Sequence, residues 1–88
     1  MKNINLLLKL FEQATHKPVK RVDGEYHLSL TEKADVSISV EYIERTVRKF
    51  INKRIESCTE LADTAPNGAY KLYFLTMADN WKNTLEMI

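Results

Sequence analysis

Between Glu41 and Asp63 the apolar residues Ile43, Val47, Phe50, Ile51, Ile55, Cys58, Leu61 and Ala62 recur at intervals of three and four. That interval lines up one face of an α-helix. A lone amphipathic helix has nowhere to bury such a stripe, so this central helix fixes where the core must lie while naming no chemistry. At about 100° per residue, Arg54 falls within roughly 20° of Val47, inside the stripe. A charge there is costly unless it is paired or its head reaches water. Two readings follow: a guanidinium that reaches a carboxylate or carbonyl from the edge of the core, or an anchor for a partner, since arginine is enriched at interface hot spots. The opposite face carries Arg45, Arg48, Lys49 and Asn52, with Lys53 to one side. Glu41 and Glu44 stand four residues ahead of Arg45 and Arg48, so half of this patch can be neutralised within the helix. It is expected to be a solvated face, and its alternative use is to bind phosphate or an acidic protein.

The segments around this helix assign the remaining elements. Asn3 to about His16 places Ile4, Leu7, Leu8, Phe11 and Ala14 on one face of a first helix, with Asn3 as its N-cap and Pro18 stopping it by Lys17. Leu6 and Leu10 widen the apolar stripe. From Val19 to Leu30 the chain reads as a β-hairpin around Asp23-Gly24, two residues that tolerate the positive φ of a type I′ turn. Tyr26, Leu28 and Leu30 alternate with Glu25, His27 and Ser29. Val36, Ile38 and Val40 then alternate with Ser37 and Ser39 and give a third strand. Connections this short favour an antiparallel meander. Its third strand carries no lysine, proline or inward charge to discourage further pairing, so either another element covers it or it recruits a strand from a partner or a second copy of the protein.

After the central helix, Thr64-Ala65-Pro66-Asn67-Gly68 gathers turn and cap residues. Ala69 to Met77 is apolar enough for a strand but alternates poorly. As a helix running to the C-terminus it gathers Tyr70, Phe74, Met77, Ala78, Trp81, Leu85 and Ile88 within an arc of roughly 100°. The helix is therefore predicted, antiparallel to the central one, leaving Leu72, Tyr73 and Leu75 as a contact surface.

The 88 residues are sufficient for one domain with a modest core. A formal net charge of +1 supplies no global field toward nucleic acid or an anionic membrane. The only glycines, Gly24 and Gly68, have turn roles, so a phosphate-cradling loop is not formed. His16, His27 and Cys58 match no metal-ligand spacing, and no metal or cofactor is expected. A single cysteine on the apolar stripe makes no internal disulfide and points to a reducing compartment, the cytoplasm.

The expectation is one α+β domain of order α-β-β-β-α-α, with the apolar face of the meander under the central and C-terminal helices. Its expected role is non-enzymatic: an inhibitor or regulator, of the kind carried by phages or mobile elements, that binds another protein or a second copy of itself. The expected contact residues are Leu72, Tyr73, Leu75, Ile38 and Arg54. The alternative is a nucleic-acid-binding regulator using Arg45, Arg48, Lys49 and Lys53.

Overall fold

A computed structural model describes residues 3–88. The element order is α1 (Ile4–Thr15), β1 (Val19–Val22), β2 (Glu25–Ser29), β3 (Asp35–Ile38), α2 (Val40–Asp63) and α3 (Gly68–Met87). This is an α+β chain of order α-β-β-β-α-α with a three-stranded antiparallel meander, β1-β2-β3. It forms two compact units, Met1–Val47 and Arg48–Ile88.

In the first unit, Asn3 caps α1 by accepting the Leu6 N–H at 3.2 Å. The helix ends on His16, whose φ of 57° lets its N–H reach back to the Glu12 carbonyl. Pro18 then begins the approach to β1, and Glu12 Oε1 accepts the Val19 N–H at 3.1 Å. Asp23 and Gly24 both have positive φ, 52° and 81°, as a type I′ turn requires.

The register pairs Val19 with Leu28 and Leu28 with Val36, so these three share one sheet face with Tyr26 and Ile38. Leu7, Leu10 and Phe11 of α1, Leu28 of β2, and Ile43 and Val47 of α2 form the core of this unit. The ring of Phe11 meets that of Tyr42 edge-on at 6.0 Å. Leu10, expected only to widen the stripe, is buried among the main core residues.

The third strand stops earlier than its alternation predicts. Ser39 leaves the strand and caps α2: its Oγ accepts the Tyr42 N–H at 3.1 Å and its carbonyl accepts the Ile43 N–H at 3.1 Å. Val40 is accordingly the first residue of the helix and does not belong to the strand. The cap satisfies helical N–H groups that a longer strand would leave open, and this outweighs one more alternating residue.

In the second unit the remainder of α2 and α3 form a helical hairpin joined through residues 64–67. Asn67 caps α3 by accepting the Tyr70 N–H at 3.0 Å. Arg48 Nη2 reaches the Ile88 carbonyl at 3.5 Å, and Phe50 meets Trp81 edge-on at 5.8 Å. Rising numbers on α2 therefore face falling numbers on α3, and the helices are antiparallel. Ala69 to Met77 is helical throughout. Buried residues here are Ile51, Cys58, Ala62 and Ala78. Phe50, Phe74, Met77 and Trp81 remain only half-buried, and Leu61, placed on the apolar stripe by its spacing, is 48% exposed.

Candidate protein-contact surface

The cap on Asn67 fixes where α3 starts and so places four large apolar side chains in its first turns. Tyr70 is 54% exposed, Leu72 67%, Tyr73 58% and Leu75 40%. Between Gly68 and Ala78 the only charged residue is Lys71. Around the helix, Tyr70 and Tyr73 lie within about 60° of each other, whereas Leu72 and Leu75 lie on the far side, roughly 140° to 200° from Tyr70. One neighbouring helix can cover only one stripe. Apolar groups on both sides of α3 thus exceed what α2 can bury. Exposed apolar residues scattered singly are ordinary on a protein surface, whereas here four fall within six residues.

The tyrosines are partly organised. Tyr73 packs edge-on against Phe74 at 5.3 Å, and Asn67, Ala69, Tyr70 and Tyr73 line a shallow apolar depression. Their rings offer contact area with little rotamer entropy to lose, and each phenol OH supplies a donor at the rim.

Of the five residues expected at a partner surface, Leu72, Tyr73 and Leu75 lie together on α3. Arg54 is exposed on α2 in the same unit, with its guanidinium 5.2 Å from the centre of the Phe50 ring. Its resting place is thus an aromatic face and not the carboxylate or carbonyl first expected. The ring offers a cation attraction without burying its charge. Ile38 belongs to the first unit, where it is half-buried at the end of β3.

The basic residues of α2 are divided between the units. Arg45 ends up exposed in the first, and Arg48, Lys49 and Lys53 in the second. Arg48 is engaged by the Ile88 carbonyl.

The polar face of the sheet carries its most connected side chains. His27 Nδ1 lies 3.2 Å from Asp35 Oδ1, and Nε2 lies 3.6 Å from Glu25 Oε2. Ser37 Oγ donates to that same Glu25 oxygen at 3.5 Å. The hydroxyl proton is thus directed at the Glu25 carboxylate. Ser39, expected on this face, serves the helix cap instead. The Cys58 thiol is buried, which removes it from solution chemistry. Among the described residues no three His, Cys, Asp or Glu side chains gather as metal ligands. No described helix is long and apolar enough to cross a membrane. No protein-family model, curated protein or solved structure matches the chain.

Sequence reasoning missed the groove beneath β3. Leu28, Leu30, Val36, Ile38 and Tyr42 line an open depression with Arg45 at its rim. The alternation of β2 and β3 marked these side chains as facing the core. Nothing in it told which of them a helix would leave uncovered.

Proposed function

We propose that this protein is a non-enzymatic regulator or inhibitor, working in the cytoplasm, that acts by holding another protein against the first half of α3. The observation that supports this reading most is the cluster Tyr70, Leu72, Tyr73 and Leu75, exposed on a segment with a single charge. Burying such a cluster contributes on the order of 25 cal/mol for each Å² of apolar surface removed from water. The same surface serves a second copy of the chain or a different protein, and sedimentation equilibrium distinguishes them.

A wild type heavier than a monomer, returned to monomer by Leu72→Glu with Leu75→Glu, identifies self-association. A monomeric wild type that captures a host protein, with capture lost in the double variant and the far-UV spectrum unchanged, identifies a different partner. A monomeric wild type whose captured set is the same as that of the double variant refutes the reading.

A second reading, nucleic-acid binding, has the support of exposed Arg45, Lys49 and Lys53 on α2. Against it stand the near-neutral net charge and the engagement of Arg48. Binding through phosphates would weaken by roughly 0.9 log unit per log unit of salt for each phosphate neutralised on duplex DNA. A gel-shift series that stays blank at low salt removes it.

A further inference from the structure

The edge of the sheet at β3 combines two features that point to one kind of occupant. The first is backbone. Ser29 donates its N–H to the Pro18 carbonyl on the β1 side, and just past β2 Leu30 donates its N–H to the Ala34 carbonyl on the β3 side. Antiparallel ladders alternate, so Val36 and Ile38, opposite Leu28 and Tyr26, also spend their backbone groups on β2. The N–H and C=O groups of Asp35 and Ser37 therefore turn outward, away from the sheet. At the other edge β1 carries Lys20 and Arg21, charges that discourage an added strand; β3 has neither lysine nor proline.

The second feature is the groove on the core side of this edge. It is open, has a volume of about 650 Å³, and its floor is Leu28, Leu30, Val36, Ile38 and Tyr42. Leu30, Val36 and Tyr42 are each a little under half exposed. Arg45 stands at the rim, and among the described residues no carboxylate pairs with it.

We propose that β3 receives an extended peptide segment of another protein, paired through Asp35 and Ser37, with apolar side chains at alternate positions and a carboxylate that meets Arg45. An added strand opposite β3 points every second side chain to the side of Val36 and Ile38, over the groove. Its remaining side chains face the polar side, beside Ser37 and Glu25. The size of the patch favours a peptide over a second copy. Three half-open side chains offer on the order of 250 Å² of apolar surface, against about 800 Å² on each partner of a stable dimer. This surface is independent of the one on α3.

A peptide of sequence Thr-Val-Thr-Val-Thr-Glu, blocked at its N-terminus, is a direct probe, followed by amide NMR of the full chain. The expected result is saturable shifts at Asp35, Ser37 and Arg45, with slowed hydrogen exchange at the Asp35 and Ser37 amides. Ser37→Pro removes one outward donor and is expected to weaken binding at least tenfold. Arg45→Glu, which leaves the strand intact, is expected to reverse the preference from a terminal Glu to a terminal Lys. The Leu72→Glu, Leu75→Glu variant is expected to bind the probe like the wild type, so the two surfaces stand or fall separately. No shift at β3 with millimolar probe, or binding indifferent to both Ser37→Pro and Arg45→Glu, overturns the proposal. A wild-type dimer that Val36→Glu dissociates also overturns it, in favour of a second copy.

Discussion

The two compact units handle apolar side chains differently. In the first, α1, β2 and the start of α2 converge from three directions, and Leu7, Phe11, Ile43 and Val47 are fully enclosed. In the second, a pair of helices buries Cys58, Ala62 and Ala78, all small, with Ile51 the one large residue fully removed from solvent. Its tyrosines, Trp81 and all of its leucines stay wholly or partly open. Three layers can surround several large side chains, whereas a two-helix seam has room for few. An enclosed aromatic is explained by folding alone, whereas the exposed Tyr70 and Tyr73 are not used by the fold of their unit to the same extent.

The largest expected effect tests that contrast directly. Phe11→Ala is expected to cost about 3–5 kcal/mol in urea denaturation, because it removes a wholly buried ring. Leu72→Ala, at the most exposed of these positions, is expected to stay within about 0.5 kcal/mol of wild type. Equal losses would mean that α3 is already covered in the isolated chain, and the contact surface on it would be lost.

Helix caps provide a comparison of intermediate size. Ser39→Ala in the first unit and Asn67→Ala in the second each remove an acceptor for one helical N–H. Each is expected to cost about 1 kcal/mol by thermal denaturation. A much smaller loss at Asn67 would show that the first turn of α3 is frayed before it meets a partner. The smallest loss expected from removing a contact is at Arg54. Its cation rests on Phe50 at an exposed site, so Arg54→Met is expected to cost about 0.5–1 kcal/mol, nearly independent of salt. A strong salt dependence would mean that the residue acts through a carboxylate after all.

Most of the element order was legible because each segment repeats its period several times. Glu41 to Asp63 keeps a helical interval for six turns, and Asp23-Gly24 admits few conformations other than the turn observed. The sequence was less informative where two periods overlap. Val36-Ser37-Ile38-Ser39-Val40 alternates to its last residue, yet Ser39 is also an N-cap and the cap prevails. Arg54 could be placed on the wheel from its number, but the ring beneath it depended on which rotamer left its charge in water. For the candidate surfaces, Leu72, Tyr73 and Leu75 were legible as residues left outside an arc. The groove under β3 was not, because periodicity assigns a side chain to a face and does not say how far the neighbouring helix extends over it.

Ser39 joins the strand to the helix without a spare residue, and this makes the junction intolerant of any change in chain length. One inserted residue there would force a choice. The helix could keep its place, which slides the strand by one position and sends Val36 and Ile38 to the wet side. Or the strand could keep its place, which swings Ile43 and Val47 about 100° away from Phe11.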